Sequence, residues 1–242
     1  MGHKDYFEFK RFVVHQRHAA MKVGTDGTLL GSLGEGGDRI LDIGTGTGLI
    51  SLMMAQRFPE SEITAIEIDE NAVIDARRNF AESPFCNRLH LLHTSLKDFV
   101  AERIRGNDGG MLFDSIVCNP PYFDDSLESK DLSRTRARHT SSLPFHELIS
   151  SAYKLLEDKG VFSVCIPPEV LDKFSAECLI NGFGLKTVYA IRSVPRKPNP
   201  KRYIMIYQKN FAAEPQEYSC CLQDADGSRS DWYADLLRDF YL

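Results

Sequence analysis

The chain has no uninterrupted run of about 18 apolar residues, the length a helix needs to cross a bilayer, so no membrane span is expected. Met1 to Lys10 is polar and charged and carries no apolar core of the secretory kind, so no signal peptide is expected. Cys86, Cys118, Cys165, Cys178, Cys220 and Cys221 form no CxxC pair and have no histidine at ligand spacing. That pattern argues against zinc and against a disulfide framework, and it fits a reducing cytoplasm. Cys118 and Cys165 sit in apolar runs and read as inert core residues. His15, His18, His90, His93 and His146 have no clustered partner and are assigned no catalytic role. Internal repeats and low-complexity tracts are absent. An excess of positive charge is also lacking, since the formal net charge is −5. The deficit is local: residues 213–242 hold seven acidic and two basic residues, so the rest of the chain balances to zero.

What is present is a core and an alternation. Hydrophobic residues make up 43% of 242 positions, enough for one sizeable α/β domain. Short apolar runs predict seven strands, at Arg39–Ile43, Glu62–Glu67, Leu89–Leu92, Phe113–Cys118, Val161–Ile166, Leu185–Arg192 and Arg202–Gln208. Between them, helical patterns cover Gly48–Arg57, Glu70–Ala81, Leu96–Ile104, Leu143–Leu156 (with Gly160 past its end) and a segment from Pro167-Pro168 through Leu179. This order calls for a mostly parallel seven-stranded sheet with helices on both faces. Ahead of it, residues 1–36 read as a lid or substrate segment: one or two short strands in Tyr6–His15, then a short helix Thr28–Leu33 capped by Asp26 or Thr28. The α/β unit spans residues 37–212. Residues 213–242 form an extension in which Ser230–Leu242 reads as a docked amphipathic helix.

Leu41-Asp42-Ile43-Gly44-Thr45-Gly46-Thr47-Gly48 is strand, glycine loop and helix start. Its glycines are spaced GxGxG. They allow a tight turn and close approach of a ligand to the backbone, and the helix behind offers free N–H groups. Asp42 ahead of the loop would repel a pyrophosphate and would suit the ammonium end of a methionine moiety. Glu67, about 19 residues past Gly48 at the next strand end, can take both ribose hydroxyls of an adenosyl group.

The fourth strand stops at Asn119-Pro120-Pro121-Tyr122. Two prolines fix φ and remove two backbone donors, so a strand must end there. By itself this could be only a strand-to-loop break. It also leaves an Asn amide, a Pro carbonyl and a Tyr ring at one strand end. An exocyclic amine on a flat heterocycle needs that set: two acceptors for its N–H bonds and a face to stack on. Strand ends of an open parallel sheet share one crevice, so the tetrapeptide lies beside the glycine loop.

Glycine loop, Glu67 and NPPY together resemble the class I methyltransferases, of Rossmann-like fold, that modify amino or amide nitrogens with S-adenosyl-L-methionine. A narrower resemblance rests on Phe9-Lys10-Arg11-Phe12-Val13-Val14-His15-Gln16, on Ala20-Met21-Lys22-Val23-Gly24-Thr25-Asp26-Gly27-Thr28-Leu29-Leu30-Gly31, and on the ending Asp239-Phe240-Tyr241-Leu242. Those residues are similar to the bacterial family that methylates N6 of the adenine 3′ of the anticodon in valine tRNA. The resemblance implies a cofactor site of Thr25, Asp42, Gly44, Gly46, Gly48, Glu67, Ile68, Ser95, Leu96 and Asn119. It implies Asn119, Pro120 and Tyr122 as the catalytic set, with Pro121 and Phe123 beside the substrate. One departure is Thr94-Ser95-Leu96 after the third strand, where such enzymes often carry an Asp for the adenine amine; Ser95 can accept one hydrogen bond there.

The implied partner is the anticodon stem-loop of a tRNA, bound by a monomer that needs no metal and no membrane. Two basic groups are candidates for phosphate contacts: Arg196, Lys197, Lys201 and Arg202 with Arg192, in a proline-stiffened strip, and Arg134, Arg136, Arg138 and His139. Other readings stay open at this stage: guanine N2 in ribosomal RNA, adenine N6 in DNA, a protein glutamine amide, or a non-catalytic RNA-binding protein. The glutamine-modifying branch carries an N-terminal helical domain, for which some thirty residues before the sheet leave no room.

Overall fold

A computed structural model describes residues 5–105, 112–121 and 143–242. The chain opens with a two-stranded antiparallel hairpin, β1 (Tyr6–Glu8) and β2 (Val13–His15), followed by α1 (Thr25–Leu33). The regular part then runs β3 (Arg39–Ile43), α2 (Leu49–Arg57), β4 (Glu62–Glu67), α3 (Glu70–Glu82), β5 (Leu89–His93), α4 (Leu96–Arg105) and β6 (Phe113–Cys118). It continues with α5 (Phe145–Leu155), β7 (Leu156–Ile166), α6 (Leu171–Ile180), β8 (Phe183–Arg192), β9 (Arg202–Lys209), β10 (Gln216–Cys221) and α7 (Asp231–Leu236).

The other eight strands form one sheet in the order β10-β8-β9-β7-β6-β3-β4-β5. Only β9 runs against its neighbours; the other adjacent pairs are parallel. Among the described residues the sheet is mostly parallel, as expected, and has eight strands where seven were expected. The additional one is β10, in the acidic extension. It pairs with β8 at the sheet edge and exposes four of its six residues, so it lacks the apolar run that marks a buried strand.

Side chains alternate across the sheet and feed two apolar layers. Ile40, Leu52, Met53 and Ile204 belong to the layer under α1 and α2; Leu41, Ile43, Phe162 and Met205 belong to the layer under α4, α5 and α6. α3 begins where the Asp69 carboxylate accepts the Ala72 N–H, at 2.8 Å.

Three boundaries depart from the sequence reading. α1 starts at Thr25 with Gly24 as its cap and no side-chain cap bond. Asp26 is drawn away to the Arg202 guanidinium, and the Thr28 hydroxyl bonds back to the Thr25 carbonyl. α5 ends at Leu155 and β7 follows without a loop; Gly160 lies in an irregular stretch of that strand, where the register against β6 slips between Phe113 and Ser115. The terminal helix covers only Asp231–Leu236, capped by Ser230. Beyond it Leu237 and Phe240 are buried. The Tyr241 ring lies against Phe7 and Phe9, and the Lys10 N–H donates to the Phe240 carbonyl.

Phe240 therefore fastens the C-terminal segment to the N-terminal hairpin. Phe240→Ala is expected to lower unfolding free energy by about 3 kcal/mol, the scale of a truncated core aromatic. Urea denaturation measures it, and a loss below about 1 kcal/mol would show that this segment is not packed as described.

Candidate active site

A cavity of about 360 Å³ opens at the carboxyl ends of β3, β4 and β6. Its floor is the glycine loop. Gly44 and Gly46 have φ of +68° and +57°, and a side chain at either would meet no atom within 4 Å. Both therefore present bare backbone to the cavity, where a Cβ would be strained and would fill the cradle. The Gly44 and Thr45 N–H groups donate to the Ile66 carbonyl at 3.0 and 3.1 Å, locking the loop onto β4. Gly48 does not line the cavity. At φ +83° it caps α2 and lies so close to the Phe80 ring that a Cβ would sit 2.4 Å from it.

Glu67 lines the cavity at the end of β4. One carboxylate oxygen accepts the Gly46 N–H at 2.8 Å; the other accepts the N–H groups of Ile68 and Asp69 at 2.8 and 2.9 Å. A carboxylate has about four acceptor sites, so capacity for a hydroxyl donor remains. Ile68, Ser95 and Leu96 line the same cavity. The Ser95 hydroxyl donates to Asp98 at 2.6 Å and accepts the Asp98 N–H at 3.1 Å, which leaves it one acceptor lone pair. Asn119, Pro120 and Pro121 form the wall at the end of β6. Cys118 beside them has its thiol pushed well up by burial, with the charges of Asp42 and Glu67 adding to the effect, so it is no nucleophile.

Like Gly48, two further expected cofactor residues stand outside the cavity lining. Thr25 opens α1 and is not part of the cavity lining. Asp42 is fully buried behind the loop. One of its oxygens accepts from the hydroxyls of Thr45 and Ser51, at 2.6 and 2.7 Å; the other is buried without a partner. The ammonium role read from the sequence is therefore replaced by a supporting role under the glycine loop. Burial pushes its carboxyl up to about 6, outweighing the two hydroxyl bonds, and the charge of Glu67 adds to the rise.

The roof comes from the segment read as a lid, at three residues that the sequence did not single out. Ala19, Ala20 and Met21 cover the cavity, between the hairpin and α1. Two buried polar residues one turn apart on α3 hold this segment. Asp75 accepts the N–H groups of His18 and Ala19 at 2.8 Å and also bonds the His18 ring. Asn79 accepts the His15 N–H and donates to the carbonyls of His15 and Thr47. The Lys22 ammonium donates inward to the carbonyls of Gln16 and Ala19. The signal was available: an Asp and an Asn at i, i+4 on the buried face of a helix demand partners.

Among the basic residues, Arg196, Lys197 and Lys201 are exposed on the turn between β8 and β9, while Arg202 is paired with Asp26. Tyr122, Phe123 and the Arg134–His139 group lie outside the described residues. Among the described residues, no helix is long and apolar enough to cross a membrane, and no group of three His, Cys, Asp or Glu could hold a metal ion.

The chain matches the methyltransferase small domain family over residues 18–170. It is similar over nearly its whole length to proteins named tRNA1(Val) (adenine(37)-N6)-methyltransferase. The one from Phocaeicola vulgatus is 41% identical, over 98% of this chain and 97% of that protein. The one from Parabacteroides distasonis is 37% identical, over 98% of each. Among solved structures, a predicted O-methyltransferase from Agrobacterium tumefaciens superposes with a TM-score of 0.68 at 20% identity, over 89% of this chain and 96% of that one. That last likeness shows the fold alone.

The buried Asp42 carboxyl makes stability pH-dependent. Its folded pKa lies above the ordinary value of 3.8, so the folded state holds this proton more tightly. The contribution is fully present below about pH 4 and is lost as pH rises through about 6. Lowering pH from 7.5 to 5 should therefore stabilise the wild type over Asp42→Asn by about 1–2 kcal/mol. Urea denaturation of both at the two pH values tests this. A difference that does not change with pH would mean that Asp42 titrates normally.

Proposed function

Because the chain belongs to the methyltransferase small domain family, we propose that it transfers a methyl group from S-adenosyl-L-methionine to N6 of an adenine in tRNA, the one 3′ of the anticodon in valine tRNA. The observation that carries this reading is that Asn119 and Pro120 share one cavity with Gly44, Gly46 and Glu67.

The cavity suits the cofactor. Its glycine floor admits close approach, Glu67 offers acceptor capacity for ribose hydroxyls, and Ile68 and Leu96 give apolar walls for an adenine ring. The Ser95 lone pair can take the adenine amine. S-adenosyl-L-methionine, when bound, supplies an electrophilic methyl group on a sulfonium. The residues at the end of β6 act on the acceptor. The N6 lone pair of adenine is delocalised into the ring and is a poor nucleophile. The Asn119 side-chain oxygen and the Pro120 carbonyl each accept one N–H bond from that amine, which favours a pyramidal nitrogen with a localised lone pair. No strong base is needed beforehand, because the extra proton leaves after the new N–C bond has formed. Catalysis is then positioning plus electrostatics. Tyr122 and Phe123 lie outside the described residues; by residue type they would stack on the base beside Pro121, and the base would reach them by leaving its stack in a loop.

Phosphate contacts fall to Arg196, Lys197 and Lys201. Arg202 is left out of that set because its guanidinium is committed to Asp26.

The direct test is mass spectrometry of tRNA nucleosides after incubation with protein and cofactor, where N6-methyladenosine is expected. Label appearing only in ribosomal RNA, DNA or protein would replace the tRNA reading. Asn119→Ala should cut methyl transfer by roughly 10²–10³ or more, with the calorimetric Kd for the cofactor within about threefold. Loss of cofactor binding with normal turnover per bound cofactor would remove Asn119 from the acceptor role. Replacing Arg196, Lys197 and Lys201 together by Ala should weaken tRNA binding and flatten its dependence on salt, by roughly 0.7–0.9 in log–log slope per lost contact. Fluorescence anisotropy across a salt series reads this; an unchanged slope would make the turn a solvated face.

A further inference from the structure

A second concavity, of about 560 Å³, lies outside the cofactor cavity. It is enclosed by the turn between β8 and β9 on one side and by the segment after β7 on the other. Pro168, Pro200 and the half-buried Tyr203 give it flat apolar walls, and Glu169, Lys197 and Lys201 stand at its rim.

Register fixes where it sits relative to Asn119. Tyr203 pairs with Ile166 across β9 and β7, and Val164 pairs with Cys118 across β7 and β6. Continuing the β6 register by two residues brings Pro120 level with Ile166. Tyr203 is thus two strand spacings from the Asn119-Pro120 step, about 10 Å. Both positions are on the same edge of the sheet. Alternation along β9 sends Tyr203 to the face shared with Met205 and Tyr207, and Cys118 packs in that same layer.

The donor set matches a nucleotide. A base wants a ring or proline face on which to lie; its phosphate wants ammonium groups; an exocyclic amine on its edge wants an acceptor such as the Glu169 carboxylate. Tyr203 with the prolines, the two lysines and the Glu169 carboxylate supply all three. A free anion would be repelled by Glu169, and an apolar peptide would leave Lys197 and Lys201 without partners.

We infer that this groove holds a nucleotide adjacent to the target adenine in the same RNA strand, with its base stacked on Tyr203 and its phosphate on Lys197 and Lys201. The inference rests on the tRNA reading above. It gives this chain a means of gripping the strand beside the extracted base: the target enters the wall at Asn119 while its neighbour is fixed by the basic turn. Sequence preference at the neighbouring position would then arise from Tyr203 and Glu169.

The test pairs protein variants with RNA lacking one base. The substrate is a tRNA anticodon stem-loop; a matched set carries a single abasic nucleotide at each of the two positions on either side of the target. For the wild type, one abasic position should raise KM for RNA by about tenfold, the scale of one base–aromatic stack. Tyr203→Leu keeps an apolar side chain on the core layer and removes the stacking face. It should raise KM for intact RNA by a similar factor and should be indifferent to that abasic position. Tyr203→Phe should behave as the wild type. All three proteins should share one cofactor Kd within about twofold, which shows that the fold is intact. If abasic substitution penalises wild type and Tyr203→Leu equally at every position, the groove holds no base and the inference is overturned. If Tyr203→Phe falls with Tyr203→Leu, stacking is not the contact and the inference fails as well. Failure of the tRNA reading looks different: the wild type would methylate none of the stem-loops, intact or abasic, and both readings would go.

Discussion

The Glu67 carboxylate is the constraint on which the site depends. It takes three backbone N–H groups, from Gly46, Ile68 and Asp69. Those bonds join the glycine loop after β3 to the end of β4 and to the start of α3 through one buried charge. Bonds to an ionised acceptor are the stronger kind, and they add to the bonds that the loop makes to the Ile66 carbonyl and to Asp42. With the loop fixed, α2 and α3 are fixed as well, because Gly48 brings α2 against Phe80 of α3. α3 in turn presents Asp75 and Asn79 to the roof segment. Floor, wall and roof of the cavity therefore share one frame, and a disturbance at Glu67 reaches all three.

Much of this was legible beforehand. The strands of a parallel sheet are buried on both faces and read as apolar runs, so β3, β4, β6 and the alternation with helices could be placed to within a residue or two. What failed has physical reasons. β10 is an edge strand whose exposed residues carry no burial signal. The short α7 is followed by chain that docks through Leu237, Phe240 and Tyr241, whose spacing imitates a longer helix. Asp42 was assigned to the ligand because it adjoins the glycine loop. Strand alternation was the better guide: Leu41 and Ile43 face the α4–α6 layer, so Asp42 faces α2, where the hydroxyls of Thr45 and Ser51 meet it.

Charge is divided along the sheet edge. Asp42, Glu67 and Asp69, beside the cavity, are each engaged by backbone or hydroxyl donors, so their carboxylates serve the local structure. Three exposed cations, Arg196, Lys197 and Lys201, share the turn between β8 and β9. Arg202 shows the two uses side by side: it begins β9 next to those cations, yet its charge joins the strand to α1 through Asp26. A net acidic chain can thus present a locally positive face where the reacting strand end lies.

The contact between the two ends of the sequence bears on how the cavity is enclosed. Lys10 meets Phe240 and Arg238 across more than 200 intervening residues, and the hairpin it secures leads directly into the roof. Contacts of such separation carry the largest loop-closure cost. Even the widest pairing between parallel strands of the central sheet, β3 with β6, joins residues about 75 apart, whereas the hairpin leading to the roof is held by the far end of the chain. The enclosure of the cofactor cavity thus leans on a contact between the two ends of the chain, and a chain cut before Arg238 would keep the sheet without that support for its roof.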